Sequence, residues 1–136
     1  MTTGRLLGSV TLPGTAENVG ETRRFAGRLL SEGETADTVV LLVSEAVTNS
    51  VVHSRSGSGG MVTLSLIDLG GDVLRVEVVD DGAATVPTPR RSDTTSLGGR
   101  GLELIQDLTE RSGWDPIGSD ALCTWFELPA STPWRT

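Results

Sequence analysis

The sequence predicts an α+β protein in which a layer of helices covers one face of a β-sheet. Three observations carry this. Segments with period-2 alternation stand at both ends and in the middle of the chain, and helical patterns separate them in the order β-α-α-β-β-loop-α-β-β. The two later strand pairs are joined by short glycine-bearing turns, as antiparallel hairpins are. A length of 136 residues fits a single domain over the whole chain, 1–136, and is large enough to bury a core without staples.

Taken in order, Leu6 to Leu12 has short strand character and stops at the Pro13-Gly14 turn signal. Ala16 to Leu30 reads as an amphipathic helix, with Thr15 placed to cap it and Gly33 near its end. A second helix is expected from about Ala36 to His53, with Thr35 as its cap. Val39, Val40, Val43, Ala46 and Val47 form one apolar arc on it, while Thr38, Glu45, Asn49 and His53 fall on the other side among the intruding Leu41, Leu42 and Val52. Ser54 to Gly60 is a Ser/Gly loop leading to strands at Met61–Leu69 and Val73–Asp80, which Gly70-Gly71-Asp72 joins as a hairpin. Leu74, Val76 and Val78 share one face of the second strand, and Asp80 continues their parity; Arg75 and Glu77 share the other face. Ala83 to Ser96 lacks periodicity and holds two prolines, the pattern of a functional loop. Gly98-Gly99-Arg100-Gly101 closes it and opens a helix from about Leu102 to Arg111. A last hairpin follows, with Leu122–Leu128 as its clear strand and Pro129 as its stop.

Charge and composition exclude several functions. A formal charge of −7 disfavours direct nucleic-acid binding and an anionic membrane surface. The longest apolar run, Val39 to Val43, is too short to span a bilayer. One cysteine, Cys123, excludes an internal disulfide and a cysteine-rich zinc site, and no cluster of histidines or cysteines supports a transition metal. With no secretory signal in the sequence, a reducing cytoplasm is the expected location. All eleven basic residues are arginines, so any phosphate clamp must use arginine or backbone N–H groups.

Three elements carry chemistry. Glu45 and Asn49 stand one helical turn apart, about 40° round from one another. As bare residues they suit a solvated helix face. They also suit phosphoryl chemistry, in which an amide oxygen ligates Mg²⁺ and a neighbouring carboxylate takes a proton from an attacking hydroxyl or orients water. Asp80-Asp81-Gly82 reads equally as a turn in which Asp caps the backbone or as the end of a pocket. A carboxylate in a buried row needs a hydrogen-bond donor, and an exocyclic amine such as that of adenine supplies one. Gly98-Gly99-Arg100-Gly101 reads as a linker or as an anion site at a helix N-terminus; it is neither a P-loop nor a dinucleotide fingerprint.

In this order and separation the three elements resemble the ATP-binding domains of the gyrase, heat-shock chaperone, histidine-kinase and mismatch-repair ATPase superfamily. The chain is most similar to the bacterial anti-sigma-factor serine/threonine kinases, over nearly its whole length. Ser44-Glu45-Ala46-Val47-Thr48-Asn49-Ser50 with His53 matches the N box, Val79-Asp80-Asp81-Gly82 the first glycine box, and Gly99-Arg100-Gly101-Leu102 the second. The resemblance implies a two-layer α/β sandwich with a mixed, mainly antiparallel sheet, binding ATP and Mg²⁺. It makes Asn49 the Mg²⁺ ligand, Glu45 the catalytic base and Asp80 the adenine contact, with Gly82 shaping that pocket. Gly99, Arg100, Gly101 and Leu102 lie at the phosphates, and Ala83–Gly98 is the nucleotide lid, whose phosphate contact falls to Arg90, Arg91 or Arg100. His53 takes a supporting role at the helix end. The implied partner is an anti-sigma-factor antagonist protein as phosphoacceptor, with a sigma factor in the alternative partnership, and a homodimer is compatible with the family.

Two departures favour a second reading. Ala84 stands where the first glycine box usually has another glycine, and the lid has no lysine. On that reading the chain is a catalytically weak or inactive nucleotide-binding module that sequesters a protein partner. The expectation carried forward is an ATP-dependent serine/threonine kinase acting as an anti-sigma factor. No phosphotransfer segment with a phosphorylatable histidine is recognised before the domain, which argues against an autonomous histidine kinase.

Overall fold

Alternating strand residues and phased helices settle into two layers in the computed structural model, which describes residues 4–53, 60–81, 98–118 and 121–130. The elements are β1 (Arg5–Pro13), α1 (Ala16–Leu29), α2 (Glu34–His53), β2 (Met61–Gly70), β3 (Val73–Asp80), α3 (Gly98–Leu108), β4 (Arg111–Ile117) and β5 (Ala121–Pro129). They form one five-stranded sheet in the order β1-β2-β3-β5-β4, and all four pairings are antiparallel. The α+β fold class expected from the sequence is therefore the observed one.

Boundaries moved where local signals competed. Thr15 stands at the N-cap of α1 with extended backbone angles, but its hydroxyl makes no capping bond. Asn18 closes that turn instead, its amide donating to the Pro13 carbonyl at 2.8 Å. The second helix begins at Glu34, so Thr35 lies in its first turn rather than capping it. Acidic Glu34 and Asp37 in that turn complement the helix dipole. The third helix begins at Gly98 and ends at Leu108, not Leu102 to Arg111, which makes the glycines its first turn and puts Arg111 at the start of β4. Glycine's poor helix propensity is overridden there by packing of the helix on α2.

Between β2 and β3, Gly71 and Asp72 have φ of 61° and 62°. Positive φ at both loop residues is what a type I′ turn requires, and its twist matches the flanking strands. The Asp72 carbonyl also accepts a hydrogen bond from the Ala130 amide at 2.8 Å, tying the end of β5 to this turn.

The core lies between the sheet and the helices. Leu74, Val76 and Val78 of β3 face it with Leu64 and Leu66 of β2 and Phe126 and Leu128 of β5, all buried against Val39, Leu42, Val43, Ala46 and Val47 of α2. Each of the Val, Leu and Phe side chains among them contributes about 1.5–3 kcal/mol on leaving water. At Gly8 a Cβ would meet Leu29 Cδ1 at 2.8 Å and Phe25 Cζ at 3.1 Å, so the side chains of α1 would have to shift to admit it.

The opposite sheet face is held by polar ladders. Ser9 pairs with Ser65 at 3.0 Å and Thr11 with Thr63 at 2.8 Å. On β3 and β5, Arg75 donates to Glu77 at 2.7 Å and to Glu127 at 2.6 Å, and its guanidinium lies 4.3 Å from the centre of the Trp125 ring. Burial alone would lower the pKa of Arg75, but its bonds to Glu77 and Glu127 leave it raised. Trp125 in turn donates to Asp115 at 3.0 Å and rests over Gly113, where a Cβ would stand 3.0 Å from the ring.

Candidate functional site

Glu45 and Asn49 sit on the second half of α2, on the flank that turns from the sheet toward α3. The sequence places this flank opposite the valine arc, which suggests a wet surface. It is drier than that, because Leu42 is wholly buried and Asn49 is only 7% exposed. Both polar atoms of the Asn49 side chain, Nδ2 and Oδ1, are buried, and neither has a hydrogen-bond partner among the described residues. Leaving such an amide unsatisfied costs about 1–3 kcal/mol, so a group kept in this state calls for a ligand.

One turn earlier, Glu45 is half-buried, and burial pushes its carboxyl pKa above the ordinary 4.5. That shift moves the group toward neutrality, where a general base works best. An amide oxygen is a hard donor that Mg²⁺ accepts beside phosphate oxygens and water. The donor set present, one orphaned amide oxygen with a carboxylate a turn away, fits a magnesium ion brought in by a nucleotide. Among the described residues no group of three His, Cys, Asp or Glu side chains forms a cage for an ion bound by protein alone.

Asp80 ends β3 on the core-facing row, paired with Leu122 of β5, and is 4% exposed. The parity read from the sequence thus places a carboxylate under the helical layer, on the strand that α2 crosses. Asp81, its neighbour, does a different job: it accepts a hydrogen bond from the Met61 amide at 3.1 Å and fastens the start of β2 to the end of β3. Thr124 escaped the sequence reading. It is a buried hydroxyl on the same core face, opposite Val78 and diagonal to Asp80. The signal was there in Leu122-Thr124-Phe126-Leu128, where one polar residue interrupts an apolar row.

Gly99, Arg100, Gly101 and Leu102 form the first turn of α3. The amides of a helix's first turn have no partners within the helix and attract anions. Leu108, on the last turn of α3, lies beside Glu34, Thr35 and Thr38 on the first turns of α2. The two helices pack along one another, so α3 runs back along α2 and its N-terminal turn points to the Asn49 end. Gly82, Arg90, Arg91 and the rest of the expected lid up to residue 97 lie outside the described residues. The side chains of Arg100, Leu102 and His53 lie outside them as well.

An antiparallel sheet under three helices, with an orphaned amide and a carboxylate on the central helix and a buried Asp at a strand end, defines a class of nucleotide-binding domain. The chain belongs to the histidine kinase-like ATPase domain family, whose model matches residues 12–125. It is 40% identical over 58 residues to the anti-sigma F factor of Clostridium acetobutylicum, covering 43% of this chain and 40% of that protein. It is 36% identical over 81 residues to the blue-light-activated histidine kinase 2 of Erythrobacter litoralis, covering 59% of this chain and 22% of that protein. The matches thus span less than half the length of either relative. Among the described residues no helix is long and apolar enough to cross a membrane.

Proposed function

We propose that this chain is an ATP-dependent serine/threonine protein kinase that acts as an anti-sigma factor, with an antagonist protein as phosphoacceptor. The observation that carries the reading is the Asn49 amide, buried without a partner among the described residues one turn from a carboxylate whose pKa burial raises. The similarity to an anti-sigma F factor supports the choice of acceptor class.

In this reaction Asp80 receives the adenine amine at the buried end of β3. The N-terminal amides of α3 face the phosphates, and the Asn49 Oδ1 is the protein's ligand to Mg²⁺. When bound, Mg²⁺ neutralises charge on the β- and γ-phosphate oxygens. Glu45 takes the proton from the acceptor hydroxyl as that oxygen forms its bond to the γ-phosphorus. The bond from γ-phosphorus to the β,γ-bridging oxygen breaks, and ADP leaves with the electron pair. Partner switching follows from the charge the product gains, since a phosphoserine carries nearly two negative charges and the kinase chain itself has a formal charge of −7.

Transfer of label from [γ-³²P]ATP to the antagonist that co-purifies with the chain tests the assignment. Glu45→Gln and Asn49→Ala should each reduce transfer at least about 100-fold. Phosphorylation that survives both changes removes the assignment. Ala84 and the absence of lysine favour one other reading, a module that holds its partner without turning ATP over. Tight partner binding with no heat from Mg-ATP in calorimetry is its signature.

A further inference from the structure

The pairing of β2 with β3 ends in a side chain. Its register runs up to Thr63↔Val79, while β2 continues beside β1 through Leu12↔Val62 and Pro13↔Met61. Carried two residues further, the β2–β3 register sets Met61 opposite Asp81, where a main-chain carbonyl is the usual acceptor in an antiparallel pair. Here the acceptor is the Asp81 carboxylate, whose Oδ2 takes the Met61 N–H at 3.1 Å. A short acidic side chain that competes with the backbone in this way ends a ladder without leaving that donor unmet.

The two sides of Asp80 are therefore held differently. On the β5 side Asp80 pairs with Leu122 in the regular register. On the β2 side the hold passes through its neighbour, from Asp81 to Met61. Met61 is a firm anchor, because it pairs with Pro13 of β1 and the Gly60 carbonyl before it accepts the Gly14 N–H at 3.0 Å. The Pro13 carbonyl in turn accepts from the side-chain amide of Asn18 on α1 at 2.8 Å. The consecutive carboxylates thus divide the work: Asp80, 4% exposed, turns to the core, and Asp81 fastens to the strand beside it.

Resting on the reading that Asp80 receives the adenine amine, we propose that Asp81 is a positioning residue for base recognition. Through Met61 it fixes the end of β3, so that the Asp80 carboxylate stays where an exocyclic amine can donate to it. Asp81 acts through Asp80 and makes no contact with the nucleotide. Without its bond, apparent affinity for an adenine nucleotide falls by the fraction of chains that keep Asp80 in place. Charge alone predicts the opposite, since removing a carboxylate near a polyanionic ligand tightens the binding of every triphosphate.

Calorimetry on the full chain, comparing Mg-ATP with the magnesium complex of purine riboside triphosphate, which lacks the 6-amine, tests this role. The wild type should prefer ATP at least about tenfold, since a site built for a donor rejects the analogue without it. Asp81→Ala should weaken ATP binding at least about fivefold and leave the amine-free analogue within about twofold of wild type. Met61→Pro deletes the donor from the other partner, at the first residue of a strand, where proline is tolerated, and should have the same effect. Combined with Asp81→Ala it should add nothing further, as two halves of one bond do. Asp81→Asn keeps an acceptor oxygen and should restore the preference for ATP. A preference that survives in both Asp81→Ala and Met61→Pro overturns the positioning role while Asp80 keeps its adenine. Equal loss of both triphosphates in these variants also overturns it, whatever their melting temperatures, because that marks a general structural effect. A wild type that binds the two triphosphates alike, or neither, overturns the adenine assignment of Asp80 and this role with it.

Discussion

Replacing Asn49 with alanine should make the ligand-free protein more stable and the nucleotide-bound protein less so. In the free chain both polar atoms of this side chain are buried and unbonded among the described residues, a state that costs about 1–3 kcal/mol. Alanine removes that cost and adds about 0.5 kcal/mol of helix propensity. Against this stands the cavity left by a carboxamide, worth about 1 kcal/mol at 24 cal/mol per Å³. The net gain is about 0.5–2.5 kcal/mol. With an unfolding entropy of about 2.1 cal/mol/K per residue over 136 residues, that is a rise in Tm of about 2–9 °C. Mg-ATP at a hundred times its Kd should stabilise the wild type by about 2.7 kcal/mol and leave the variant unmoved. Differential scanning calorimetry in EDTA and then in Mg-ATP reads both halves. If the variant melts several degrees below wild type in EDTA, the amide is satisfied in the free protein and is not reserved for a ligand. If Mg-ATP stabilises both proteins equally, Asn49 is not the metal ligand.

Other perturbations test the surrounding structure. Because burial raises the Glu45 carboxyl pKa, the acid limb of phosphotransfer should lie above 4.5 and disappear in Glu45→Gln, read as kcat/KM against pH. A carboxyl with a raised folded pKa contributes stability below its unfolded pKa and loses it as pH rises through the folded value. Glu45→Gln should therefore stabilise the free chain at pH 8 relative to pH 4, measured by urea denaturation at the two values. On the far sheet face, Glu127→Ala strips a buried carboxylate from Arg75, whose side chain is 13% exposed. About 2–3 kcal/mol should be lost in urea melts, with nucleotide binding retained. Burial, as the largest cause, pushes the Cys123 thiol up to about 12. Its thiolate fraction near pH 8 is about a thousandfold below that of an ordinary cysteine, so an aromatic disulfide reagent should label it only as the protein unfolds. Fast labelling of the folded chain would show that β5 opens readily.

Much of this was legible in the chain because it is written in short-range pattern. The parity of Leu74, Val76 and Val78 made Asp80 a buried carboxylate before any fold was known, and the structure keeps it there. The hairpin at Gly70-Gly71-Asp72 was equally readable, since few residues accept positive φ. That Glu45 and Asn49 share a flank was readable from their spacing, which a helix converts directly into a common side.

What the sequence could not decide was the state of that flank, because burial depends on which element packs beside it. Opposite the valine arc, Asn49 reads as a wetted residue. In the folded chain α3 docks along α2, and the Asn49 amide is buried with no partner among the described residues. The same packing drew the glycines at 98–101 into a helical turn that their propensity disfavours. Periodicity fixes which residues share a face; only tertiary contact determines whether that face meets water, a neighbour or a ligand.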